Sequence, residues 1–152
     1  MRTLDQWFAE YAVSHQNKTN QLIHYICVPT IFFSIVGLVM SIPPGPLTQI
    51  FPMYIPFLEN WAVVVLILVL LFYFRLSISM GFKVLIFAAF CIAGNYYISL
   101  VALLWLVSLI IFALAWIGQF YGHKIEGKKP SFLKDIQFLL IGPAWVIRKI
   151  FG

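Results

Sequence analysis

Residues 100–121, LVALLWLVSLIIFALAWIGQFY, contain no charged side chain. A bilayer's hydrocarbon core is about 30 Å thick and takes about 20 helical residues to cross. Inside it every backbone N–H and C=O must bond within the segment, so the run has one available form, a transmembrane helix. The rest of the chain repeats the pattern. Residues 23–41 make a first full-length run, in which Pro29 removes one backbone donor and predicts a kink. Residues 61–74 make a second, ended by Arg75 and SISMG, and Lys83 opens a shorter third run to about residue 98, with Gly94-Asn95-Tyr96-Tyr97 as its interfacial end or an earlier turn. Between the first two lies SIPPGPLTQIFPMYIPFLEN, whose five prolines exclude a continuous helix. Residues 132–151 mix Phe138, Leu139, Leu140 and Trp145 with Lys134, Arg148 and Lys149, broken by Gly142-Pro143, and read as an interfacial helix pair.

The expected fold is therefore all-α: a polytopic membrane helical bundle of about four spans with amphipathic N- and C-terminal interfacial helices. With 62% hydrophobic and 10% charged residues in a chain of 152, residues 1–152 form a single integral membrane domain, with no room for a soluble catalytic module beside it. About 20 amphipathic residues precede the first run and no small-residue cleavage site follows it, which argues against a cleavable signal. Cys27 and Cys91 sit inside apolar runs and read as packing residues.

Lysines and arginines near span ends collect on the cytoplasmic side. Segment 1–22 carries Arg2 and Lys18, loop 42–60 none, turn 75–83 Arg75 and Lys83, turn 94–99 none, and the tail after 122 carries six. That alternation makes a multi-pass protein with both termini cytoplasmic. The net charge of +5 is tied to span ends and suits anionic headgroups or acids. No nucleic-acid motif accompanies it, so nucleic acid is not an expected partner.

On this topology the chain's three histidines gather at one membrane face: His15 and His24 in HQNKTNQLIH at the mouth of the first span, His123 in QFYGHKIEGKKP at the mouth of the fourth. Asn17, Asn20 and His24 are spaced i, i+3, i+7, and Gln119, His123 and Glu126 i, i+4, i+7, so each set makes one helical stripe. His15 lies about half a turn out of phase with His24 on a continuous helix. A break at 17–19, where Asn17 and Thr19 are both good caps, would turn it inward. One histidine at a bilayer interface is ordinarily an amphipathic residue in a comfortable place. Two stripes of Asn, Gln, His and Glu near the hydrocarbon boundary must instead satisfy each other or a shared ion. Imidazole and carboxylate suit iron or zinc, and two or three His with one Glu leave positions open for a substrate. Gly118 and Gly122, spaced small-xxx-small, mark a packing groove on the fourth span.

YAVSHQNKTNQLIHYICVP, IGQFYGHKIEGKKPSF and the later Gly-Pro-Ala-Trp together resemble the membrane 2-hydroxy fatty acid dioxygenase family, whose fungal member removes one carbon from the hydroxy acid derived from phytosphingosine. The matching positions are Tyr11, His15, Asn17, Asn20, His24 and Pro29, then Gln119, Gly122, His123, Glu126 and Pro130. The resemblance implies that His15, His24 and His123 bind Fe(II) and that these three, with Glu126, carry catalysis. It further implies a cytoplasm-facing site in the endoplasmic reticulum or the bacterial inner membrane. Asn17, Asn20, Gln119 and Lys124 would orient the ligands or meet the substrate.

The chemistry is consistent on its own terms. A 2-hydroxy acid offers a carboxylate and an adjacent hydroxyl as chelating oxygens, and loss of the carboxyl carbon as CO₂ balances with O₂ alone, so no further cofactor motif is needed. Lys18, Lys124, Lys128 and Lys129 could draw in the carboxylate, although most belong to the positive-inside cluster. Two other classes fit less well. A metal- or proton-coupled carrier should place its ionisable groups near the midplane, often in repeated halves, and this chain shows neither. A non-catalytic lipid-binding scaffold would leave both polar stripes unused. The topology has a direct test: a thiol reagent applied outside intact cells should label a cysteine placed at Thr48 and miss one at Ser131, and the reverse pattern would put the histidines on the other face.

Overall fold

The computed structural model describes residues 3–127 and 136–152, with backbone alone for 136–139. Lys128, Lys129, Pro130, Ser131 and Lys134, which the sequence reading singled out, lie outside the described residues. The regular structure of the described residues is helical throughout. Its elements are α1 (Leu4–Ala12), α2 (Lys18–Met40), a short 3₁₀ turn (Gly45–Gln49), α3 (Trp61–Leu76), α4 (Ile78–Val101), α5 (Leu104–Glu126) and α6 (Ile136–Phe151). They form two compact units, Met1–Phe32 with Ala113–Gly152, and Phe33–Phe112. Helices α2, α4 and α5 are long and apolar enough to cross a membrane, and α3 is a shorter apolar helix of 16 residues. Together they are the four apolar runs of the sequence.

In the second unit, residues 33–112, side-chain caps replace loops. Asn60 starts α3 by accepting from Val63 N at 3.1 Å. Ser77 alone separates α3 from α4: its N–H donates to Tyr73 O at 2.8 Å and its hydroxyl accepts from Met80 N at 3.4 Å. The stretch expected to be a turn, SISMG, is thus the first turn of α4, because one serine closes both helix ends. Gly81 makes the tight reversal possible, since a Cβ there would meet the Phe74 ring at 2.4 Å. The segment Gly94-Asn95-Tyr96-Tyr97, expected as an interfacial end or a turn, makes no turn and lies within α4. The buried Asn95 amide donates to Cys91 O at 2.9 Å and to Phe33 O at 3.0 Å, tying α4 to the adjoining part of α2. The proline-rich loop is organised by Glu59, fully buried, which accepts from Phe51 N at 3.3 Å and from Ile55 N, while Trp61 Nε1 donates to Pro43 O at 3.0 Å.

In the first unit, α1 opens with a capping box: Thr3 Oγ1 accepts from Gln6 N at 3.3 Å and Gln6 Oε1 accepts from Thr3 N at 2.9 Å. It buries Trp7, Phe8 and Tyr11. Helix α6 packs on α1, and Arg148 pairs with Asp5 while its guanidinium lies 5.1 Å from the Phe8 ring centre. Here the sequence reading needs correction. Over its described part, 136–151, the expected helix pair is one helix, because a proline inside α6 removes only one helical hydrogen bond, and the residues around it, Ile141, Ala144, Trp145 and Val146, are all buried.

Packing in the second unit is tight at one point. A Cβ on Gly37 would lie 2.1 Å from Ser108 Oγ and 2.2 Å from Asn95 Oδ1, both buried. Gly37→Ala should destabilise the protein by about 1–3 kcal/mol, the usual cost of overpacking. Thermal unfolding in detergent measures this, and an unchanged midpoint would show that the Asn95 amide can swing away without loss.

Candidate metal centre

The helix break before α2 is made by residues 13–17, and their backbone donors are all satisfied. Val13, Ser14 and His15 N donate back to Glu10, Tyr11 and Ala12 carbonyls, closing the end of α1. Gln16 N and Asn17 N both donate to the Glu126 carboxylate, at 2.9 Å each. Asn17 Oδ1 then caps α2, accepting from Thr19 N at 2.9 Å and Asn20 N at 3.4 Å. The break expected near 17–19 is therefore present slightly earlier, at 13–17, and turns His15 inward.

The result is a buried cluster of three imidazoles. His15, His24 and His123 are 2%, 1% and 4% exposed, and one ring nitrogen from each lies within 4.8 Å of the others. His15 Nδ1 is 2.7 Å from Tyr11 O, and His24 Nδ1 is 2.9 Å from Asn20 O. A carbonyl can only accept, so each Nδ1 carries the proton and each Nε2 keeps a lone pair. Those two Nε2 atoms face each other at 2.9 Å. Two lone pairs at that distance repel unless a cation lies between them. Burial also holds His15 below the ordinary imidazole range, against the opposing pull of its hydrogen bond to Tyr11 and of the Glu126 charge. His123 Nδ1 is buried without a hydrogen-bond partner among the described residues. Neutral imidazoles oriented by Nδ1–H···O=C bonds are how proteins present histidine to zinc, iron, copper or nickel, so this donor set could hold a metal ion.

Glu126 lies outside the imidazole cluster and binds the loop that carries it. Besides Gln16 N and Asn17 N, its carboxylate accepts from Asn20 Nδ2 at 3.0 Å, so the two sequence stripes meet at Glu126. Gly122 lets α5 come this close, since a Cβ there would stand 2.5 Å from Asn20 Oδ1, and at Gly118 it would meet Cys27 Sγ at 2.7 Å. Gln119 is buried one turn before His123, whereas Lys18 and Lys124 are exposed.

Two aromatic residues complete the wall. Tyr11 stacks on His15, ring centres 4.1 Å apart and planes within 11°, and Trp145 of α6 lies 5.6 Å from His15 and 5.4 Å from Tyr11. Sequence reasoning gave neither a role at the site. The signal for Trp145 was the i, i+3/4, i+7 spacing of Ile141, Ala144, Trp145 and Arg148, masked by the Gly-Pro pair beside it.

A family model described as 2-hydroxy-palmitic acid dioxygenase Mpo1-like matches residues 1–152. The chain belongs to that family. No curated protein and no solved structure matches it. The resemblance seen in the two histidine motifs is thus borne out across the whole chain, and the family's description names a 2-hydroxy fatty acid dioxygenase.

Glu126→Gln replaces one of two acceptor oxygens with a donor that faces three N–H groups. It should weaken metal binding about 10–100-fold, the usual cost of losing a group that orients ligands, while the helices stay formed. Competition against a chelator of known affinity, with circular dichroism in parallel, reads this out; unchanged affinity would detach Glu126 from the centre.

Proposed function

We propose that this protein is an Fe(II)-dependent dioxygenase that converts long-chain 2-hydroxy fatty acids and O₂ into the acid one carbon shorter, CO₂ and water. The observation that carries this is the 2.9 Å approach of two proton-free Nε2 atoms in a buried three-histidine cluster. Family membership supports the substrate and the reaction. The balance needs no further reagent: the C1–C2 bond breaks, the carbons together lose four electrons, and O₂ takes them up. Bound Fe(II) would supply the Lewis-acid and redox chemistry that lets O₂ react with the 2-hydroxy acid.

The chain's own residues hold, orient and shield. His15, His24 and His123 would hold the metal, their lone pairs fixed by the Tyr11 and Asn20 carbonyls. Glu126, Asn17 and Asn20 are positioning residues that keep His15 and His24 facing each other across the helix break. Tyr11 and Trp145 keep water from one side of the imidazoles. The exposed Lys18 and Lys124 favour arrival of a carboxylate at the same end of α2 and α5. We read residues 1–152 as a single membrane domain. We place both termini in the cytoplasm, with the protein in the bacterial inner membrane or the endoplasmic reticulum.

The test supplies purified, iron-loaded protein with 2-hydroxypalmitate and ¹⁸O₂. Label should appear in the shortened acid, and His15→Ala, His24→Ala or His123→Ala should each lower turnover by roughly 10³-fold or more, as metal and electrostatic terms dominate rate acceleration. Wild-type protein that consumes no oxygen across several chain lengths, or histidine variants equal to wild type, would contradict the reading.

A further inference from the structure

Three side-chain atoms near the cluster are buried without a hydrogen-bond partner among the described residues: Asn20 Oδ1, His123 Nδ1 and Gln119 Nε2. The first two have evident reasons. Asn20 Oδ1 is pressed against α5 where Gly122 lacks a side chain, and His123 belongs to the imidazole cluster. Gln119 has none, although its side chain is only 3% exposed. It stands at i−4 from His123 on α5, and this spacing puts the two on one helix face with about 5–6 Å between their Cβ atoms. On the neighbouring flank of α5, Cys27 of α2 packs against Gly118, where a Cβ would meet its Sγ at 2.7 Å. A buried amide donor with no acceptor destabilises a fold, and a helix as apolar as α5 offers it nothing in return.

We propose that Gln119 recognises the substrate's head group: its Nε2–H donates to a carboxylate or hydroxyl oxygen of the 2-hydroxy acid bound at the histidines. This rests on the function proposed above and adds the residue that reads the ligand. The placement suits an amphiphile. Helix α5 runs from its apolar start at Leu104 to its polar end at Glu126, so Gln119 lies one turn to the hydrocarbon side of His123, where head group gives way to acyl chain. The lysines nearby in sequence, Lys18 and Lys124, are exposed. A neutral amide is also the donor that an apolar helix can carry while the site stands empty, since an unpaired buried ammonium would cost far more.

The experiment uses full-length protein in lipid nanodiscs, loaded with Co(II), whose visible bands report its ligands. 2-Hydroxypalmitate and palmitate are titrated into wild type, Gln119→Leu and Gln119→Glu. Both variants should keep the wild-type Co(II) spectrum before acid is added and bind 2-hydroxypalmitate about 10–100-fold more weakly, the loss expected for a hydrogen bond to a charged group. Metal-free Gln119→Leu should unfold at the wild-type temperature or above, because it removes an unsatisfied buried donor. A loss confined to 2-hydroxypalmitate assigns the bond to the hydroxyl, and an equal loss with palmitate assigns it to the carboxylate; either supports the proposal. Wild-type affinity in Gln119→Leu would overturn it and leave the amide to water alone. Lowered stability in both variants with an altered Co(II) spectrum would overturn it in favour of a structural role. Wild type that responds to neither acid would overturn the proposed function and this assignment with it.

Discussion

Two imidazole Nε2 atoms, each left with a lone pair because its ring's Nδ1–H donates to a backbone carbonyl, point at one another at 2.9 Å inside the protein. Much of the first unit can be understood as the apparatus that creates and tolerates this arrangement. In a continuous helix from α1 into α2, His15 and His24 would face different ways. The break is held open by a carboxylate from the far end of the chain, Glu126, which binds the backbone of Gln16 and Asn17, and by Asn17 itself, which restarts the helix. A sequence separation of about a hundred residues is thus closed by three hydrogen bonds to one side chain. Those bonds also place His123, three residues earlier on α5, beside the other two histidines.

This explains why the polar groups are tolerated next to a hydrophobic helix. Asn20 is fully buried, yet its amide bonds Glu126, its carbonyl serves His24, and its oxygen rests where Gly122 has no side chain. Tyr11 and Trp145 lay their rings against His15, which excludes water from that side. Two of the buried atoms without a hydrogen-bond partner among the described residues, on His123 and Gln119, lie on one stripe of α5. That is the pattern expected of a site that is finished by what it binds, in keeping with the function proposed.

Much of this could be read from the residues. The apolar runs announced α2 to α5, the 3.6-residue period put Asn20 with His24 and Gln119 with His123, and the phase of His15 required the break that Asn17 makes. What could not be read has physical causes. Ser77 caps two helices at once, so a stretch rich in small polar residues became helix where a turn was expected. Asn95 found carbonyl partners inside the second unit, so a Gly-Asn pair did not end α4. Pro143 costs α6 one hydrogen bond, and burial of Ile141, Ala144 and Trp145 outweighs it. The part played by Glu126 also depended on tertiary structure: spacing put it on the histidine stripe, but only the fold shows that its oxygens accept from two backbone amides and the Asn20 side chain.

The central claim is that the three histidines form one metal site, and elemental analysis of folded, detergent-purified protein tests it most directly. After anaerobic reconstitution with Fe(II) and removal of excess ion, wild type should retain about one iron per chain and His24→Ala close to none, with both equally helical. Folded wild-type protein that holds no metal above background, or a His24→Ala variant that holds as much as wild type, would contradict the account.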